Sequence, residues 1–163
     1  MRFRLAPLAV LLCAALPVAA QDAGMIVTKA KDVLEVEVSS AVTASFVDPF
    51  RELSIADPEI ADIATLSDTL VYVLGKSVGV TTLTLISGTT PVDARHVRVA
   101  VYRDTAPMQA FLSSVTDVTL ARDGAVVTLA GCAGGARARA AVDGVTAQLQ
   151  AWGYVILSDV GDC

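Results

Sequence analysis

The stretch from Val71 to Leu85, VYVLGKSVGVTTLTL, constrains the fold of this chain most strongly. It begins with apolar, β-prone residues, and Gly75-Lys76-Ser77 interrupts that run. From residue 82 to 85, threonine and leucine alternate, and a period of two places both leucines on one face of a strand. Glycines at 75 and 79 allow a tight connection. The stretch therefore predicts two strands joined by a turn.

The segment IADPEIADI, residues 55–63, comes shortly before this stretch. Asp57-Pro58 favours a turn because Pro58 has a fixed φ and disfavours the α region for the residue before it. Ile60 and Ile63 are expected to return the chain to the core.

Together the two segments resemble the N-terminal domain of the pilus secretins of the Tad (Flp) type, a domain also found in type II and type III secretion-like proteins. The matching patterns are xADPxIADV and VYVLGKxxGxTTLxL. The residues that carry the match are Ala56, Asp57, Pro58, Ile60, Ala61, Val73, Leu74, Gly75, Lys76, Gly79, Thr81, Thr82 and Leu83. Bacterial immunoglobulin-like domains end in a strand similar to GVTTLTL, so the second pattern alone leaves that alternative open.

The N-terminus has the pattern of a signal peptide. Arg2 and Arg4 precede an apolar run at 5–16, and small residues occupy 18–20. We expect cleavage after Ala20, export to the periplasm and a flexible leader at 21–31. Any association with the outer membrane would then go through a partner.

The expected mature chain is acidic. Residues 1–20 contain two arginines and no acidic residue, so their removal leaves 10 basic against 17 acidic side chains and changes the formal charge from −5 to −7. Nucleic acids and anionic lipids both require a basic surface, so neither is an expected partner.

Residues 32–103 are expected to form a β-rich domain. Apolar residues alternate near its start, at 33–38, and Val97, Val99 and Val101 share one face of its last strand. The alternation predicts about six or seven strands, mostly antiparallel. In the family, a glycine begins the turn after the first strand, and Ser39-Ser40 occupies that place here.

Residues 104–163 have the pattern of a small α+β domain. An amphipathic helix begins near Pro107, and two strands joined at Asp123-Gly124 follow. A second helix at 136–152 and a strand at 154–157 complete the order αββαβ. This order, and GAVVTLAG at 124–131 before an Ala-rich helix, resemble the BON and KH-like folds. Tad-type secretins carry a BON-like domain directly after their first domain.

The sequence departs from the secretin pattern after the BON-like segment. A secretin continues into further ring domains and a β-rich gate, which this sequence does not contain. We expect the chain to form no pore by itself, and the sequence leaves open whether another chain supplies the gate.

Cys132 and Cys163 remain after the signal peptide and are a candidate disulfide pair. They follow two strands that a crossover helix would make parallel, so both would lie at one end of the sheet. The alternatives are two free thiols, or a bond from Cys163 to another molecule.

Other chemical groups favour structural roles. His96 begins a strand, and no G-x-S-x-G nucleophile motif occurs in the sequence. Asp57, Glu59 and Asp62 lack the spacing of a calcium loop and suit a solvated turn. We expect no catalytic residue, no cofactor, no metal and no small-molecule substrate.

The resemblance therefore implies a non-enzymatic periplasmic component of a pilus-assembly or type II secretion-like apparatus. Its partners would be a secretin or other pilus and secretion proteins, and copies of itself. Sheet faces, sheet edges and the apolar stripe of the second helix would make the contacts. The alternative is a stand-alone envelope-binding module whose BON-like domain touches lipid or peptidoglycan.

Overall fold

The computed structural model describes residues 33–88 and 93–163, and the predicted signal peptide and leader lie outside these residues. The described strands are β1 (Val33–Glu37), β2 (Ala41–Ser45), β3 (Glu52–Ile55), β4 (Ala61–Thr65), β5 (Leu70–Gly75), β6 (Gly79–Ser87), β7 (Asp93–Tyr102), β8 (Thr119–Asp123), β9 (Val126–Cys132) and β10 (Val155–Gly161). The described helices are α1 (Ala106–Val115) and α2 (Gly135–Ala151). Neither helix is long and apolar enough to span a membrane.

Strands β1 to β7 form two sheets with the orders β1-β7-β6-β3 and β2-β5-β4. All pairs are antiparallel except β1 with β7, which is parallel. The fold class is confirmed: a mainly β part precedes a small α+β part.

The core of the β-rich part follows from the period-two pattern. Leu34 and Val36 in β1 and Val97, Val99 and Val101 in β7 are buried, as the alternation predicts. They belong to one hydrophobic cluster with inward residues of both sheets. This burial removes the apolar side chains from water and is the main stabilising contribution to the fold.

The second part contains a three-stranded sheet with the order β10-β9-β8. Helices α1 and α2 pack with this sheet in one hydrophobic cluster. The αββαβ order and the parallel pairing of β9 with β10 agree with what the sequence predicts. The apolar stripe of α2 is buried in this core, through Ala138, Val142, Val145 and Leu149. The expectation that this stripe contacts partners was therefore wrong, because the stripe is used to pack the helix on its own sheet.

Strand β10 extends to Gly161, beyond the predicted end at 157. Asp159 is of a residue type that is depleted in strands. Pairing along the whole length of β9 overrides this preference, with Ser158 opposite Leu129 and Gly161 opposite Cys132.

Candidate functional site

The two matched segments meet in space at what we call the motif junction, formed by residues 56–60 and 75–82. The backbone N–H of Asp57 donates to Thr81 Oγ1 at 2.9 Å, and the N–H of Ala56 donates to the carbonyl of Thr82 at 3.0 Å. Asp57 Oδ1 accepts a hydrogen bond from the N–H of Glu59 at 2.9 Å. These bonds hold the Asp57-Pro58 turn against β6.

Lys76 holds the same turn from the other side. Its Nζ donates to the carbonyl of Pro58 at 2.7 Å, and its backbone N–H donates to the carbonyl of Ile60 at 2.9 Å. Ser77 Oγ adds a bond to the carbonyl of Glu59 at 2.7 Å. The hydrogen bonds of this connection are thus made to the protein's own backbone.

Two glycines of the motif allow close approach at the junction. A Cβ on Gly75 would lie 2.6 Å from the carbonyl oxygen of Glu37, and one on Gly79 would lie 2.7 Å from Ile60 Cδ1. Both distances are shorter than ordinary van der Waals contact. Neither glycine has a positive φ, so the requirement comes from close packing, most firmly at Gly75, where the neighbouring atom belongs to the backbone.

The remaining motif residues are mostly structural as well. Val73, Leu83 and Ala61 are fully buried in the β-rich core, and Leu74 is half-buried. The structure brings the two halves of the motif together, and the contacts it shows for them are architectural.

Cys132 and Cys163 are joined by a disulfide, with their Cα atoms 5.3 Å apart. The N–H of Ala133 donates to the carbonyl of Gly161 at 2.9 Å beside the bond. A carboxylate oxygen of Asp117 lies within 4.8 Å of both sulfurs. Oxidised sulfurs are not thiolate ligands, so this cluster offers metal coordination only through a single carboxylate.

The other candidate groups have simple local partners. His96 is exposed, with its Nδ1 3.1 Å from Thr84 Oγ1. Asp62 Oδ1 accepts a hydrogen bond from the N–H of Ile63 at 2.9 Å.

A surface that sequence reasoning missed joins the β-rich part to the α+β part. Ala100 faces away from the core of its sheet by alternation, yet it is only 3% exposed. The β8–β9 turn lies over this outer face, where a Cβ on Gly124 would be 3.0 Å from Val80 and 3.2 Å from Arg98. In the sequence, the one indication that this outer face is covered is the small side chain of Ala100 between Arg98 and Tyr102.

Two polar arrangements hold this surface together. The Arg122 guanidinium lies 4.3 Å from the centroid of the Tyr102 ring, and its Nη2 is 3.3 Å from Glu35 Oε1. The Tyr154 hydroxyl donates to the carbonyl of Arg103 at 3.0 Å and accepts from its N–H at 2.9 Å. Each arrangement connects residues far apart in sequence.

Comparison with known proteins identifies the first part of the chain. Residues 30–100 match the family described as "pilus formation protein N terminal region". A search of curated proteins finds no significant match to the chain. The resemblance of the two motifs to a secretin-type N-terminal domain is confirmed over these residues, and the matched family is one of pilus formation proteins.

Proposed function

We propose that this protein is a non-enzymatic periplasmic component of a pilus-assembly or type II secretion-like apparatus and acts through protein–protein contacts. The match of residues 30–100 to a pilus formation domain carries the proposal. The motif junction supports it, since the polar groups of the motif are used to hold the domain's own turn against β6. Its partners are a secretin, other pilus or secretion proteins, and further copies of the chain.

The proposed organisation has four parts. Residues 1–20 are a signal peptide, 21–31 a leader, 32–103 the pilus-type domain and 104–163 a BON-like domain. Two clusters of buried hydrophobic residues, one in each of the last two parts, support the boundary near Arg103, and the partly buried Val78 of the first part packs against both.

A crosslinked pull-down from intact cells tests the function. The tagged full chain, treated with a crosslinker before lysis, should recover a secretin or other components of a pilus or secretion machine. The matched control is the same chain without residues 2–20, which should stay in the cytoplasm and recover none of them.

Recovery of no pilus or secretion component by the full chain would overturn the proposal. Co-sedimentation of the purified protein with liposomes or peptidoglycan sacculi would then support the stand-alone envelope module. The acidic charge of the expected mature chain disfavours anionic liposomes.

A further inference from the structure

The outer edge of β10 is the surface of the α+β part that is best prepared to receive a partner. We propose that this edge pairs with an extended, basic segment of a partner protein, which adds a fourth strand to the β10-β9-β8 sheet. The inference rests on the proposed function and names one of its contacts.

The register of β10 leaves backbone groups unpaired along this edge. The N–H of Val155 donates to Ala125, and the carbonyl of Gly161 accepts from Ala133. In a parallel ladder the residues bonded to the neighbour alternate with residues that point away from it. Ile156, Ser158 and Val160 therefore direct their N–H and carbonyl groups outward, and among the described residues β10 pairs with β9 alone.

The opposite edge of the same sheet is partly covered by α1. On β8, the N–H of Leu120 donates to Gln109 Oε1, a side chain of α1. Gln109 is held by its own Nε2, which donates to Ser113 Oγ at 2.7 Å. Proteins commonly protect sheet edges by covering them in this way. The contrast distinguishes β10 as the edge that remains available in the described part of the chain.

Both ends of β10 are fixed before any partner arrives. Hydrogen bonds hold Val155 and Gly161, its first and last residues, to the segment that contains β9. The disulfide then joins Cys163, just after β10, to the end of β9. A preorganised edge avoids the entropy cost of ordering on binding. The disulfide would thus contribute to recognition as well as to stability.

Side chains beside the edge define the chemistry of the partner. Val155 and Leu157 are 59% and 56% exposed on the sheet face away from the helices. Asp159 follows on that face and is exposed. Asp162 lies just beyond, but its Oδ1 is 3.0 Å from Arg139 Nη2, so its charge is already balanced and Asp159 supplies the attraction for a basic partner. A fitting segment therefore has apolar residues opposite the first half of β10 and a lysine or arginine opposite Asp159.

Charge disfavours a second copy of β10 as the occupant. Antiparallel self-pairing about Ser158 would set Leu157 of each copy against Asp159 of the other. It would also bring two acidic chains together.

A labelled peptide tests the proposal on the purified full chain. The probe is an acetylated, amidated Thr-Val-Lys-Val-Lys-Val-Thr, with binding followed by fluorescence anisotropy. Ser158→Pro removes one outward N–H and keeps the β9 ladder, so binding should weaken about tenfold. The control Ser158→Thr keeps the N–H and should bind within about twofold of the wild type.

A second pair of variants tests the charge. Asp159→Lys should weaken binding of the basic peptide and strengthen binding of a peptide with glutamate in place of lysine. Asp68→Lys makes the same charge change in the exposed turn before β5 and should alter neither. Hydrogen exchange of the Ile156, Ser158 and Val160 amides should slow when the basic peptide binds.

Three results would overturn the proposal: no binding at about 1 mM peptide, equal binding to the wild type and Ser158→Pro, or no preference for the basic peptide. These failures leave the proposed function standing if the pull-down recovers the apparatus. A failed pull-down beside a positive peptide assay would instead reject the function and keep the strand-pairing edge.

Discussion

Ser39 adopts a backbone conformation that is unfavourable for its residue type. Its φ is 63°, the one positive value among the non-glycine residues that the structure describes. Its N–H donates to the carbonyl of Gly75 at 2.8 Å, so pairing with the second sheet holds the turn in place. In the family that the motifs resemble, this turn begins with glycine, which tolerates the conformation.

Ser39→Gly should therefore stabilise the protein by about 0.5–1 kcal/mol. The left-handed conformation costs an L-residue roughly 1–2 kcal/mol, and the entropy of the unfolded glycine offsets part of the gain. Urea unfolding would measure the change. Ser40→Gly is the control, because Ser40 has no positive φ and should lose stability. A loss in both variants would contradict the strain argument.

Two glycines should respond in opposite directions to alanine. Gly75→Ala places a Cβ against the Glu37 carbonyl and should cost about 1–3 kcal/mol. Gly144 lies in α2 with nothing within 4 Å of an added Cβ, so Gly144→Ala should gain up to about 1 kcal/mol of helix propensity. Thermal unfolding would compare the two, and a neutral Gly75→Ala would reject the close-packing role.

At the scale of elements, the disulfide joins Cys132, the last residue of β9, to Cys163, two residues after the end of β10, across a sequence separation of 31 residues. Replacement of both cysteines by serine should lower stability by about 3–4 kcal/mol in the chain-entropy model, because the unfolded chain regains that loop freedom. Trp152 is the single tryptophan and lies in this part of the chain, so its fluorescence reports the transition.

Reduction of the wild type by dithiothreitol provides the matched control. It should reproduce the lower unfolding midpoint, while the reductant should leave the double serine variant unchanged. Identical midpoints for the oxidised wild type and the variant would show that the bond contributes nothing measurable.

At the scale of the whole molecule, the β8–β9 turn is one of the contacts between the α+β part and the β-rich part. Gly124 has a φ of 57° and is the first of the two loop residues between Asp123 and Val126. This matches a turn with glycine at its first central position, one residue later than the predicted Asp-Gly pair. The same glycine allows contact with Val80 and Arg98.

Arg122→Ala should cost about 1 kcal/mol through its lost contact with the Tyr102 ring. Glu35→Gln should stay within about 0.5 kcal/mol, because the Glu35 side chain is 56% exposed and exposed ion pairs contribute little. Urea unfolding of both variants would separate these contributions. Equal losses would assign the stability to the ion pair instead.

The sequence by itself indicated a β-rich part followed by the αββαβ order, and it identified the inward valines of β7. Val97, Val99 and Val101 could be placed inside because alternation is a local property of a strand. The sequence also identified the motif residues and the candidate cysteine pair, although it left open whether the two cysteines form a disulfide.

Only the tertiary structure decided what these residues touch. The burial of Ala100, the carbonyl partner of Lys76 and the open edge of β10 depend on segments that are distant in the chain. Local periodicity reports which face of an element is apolar, but not which other element covers the opposite face. That choice depends on how the sheets pack against each other, and it determines which surfaces remain for a partner.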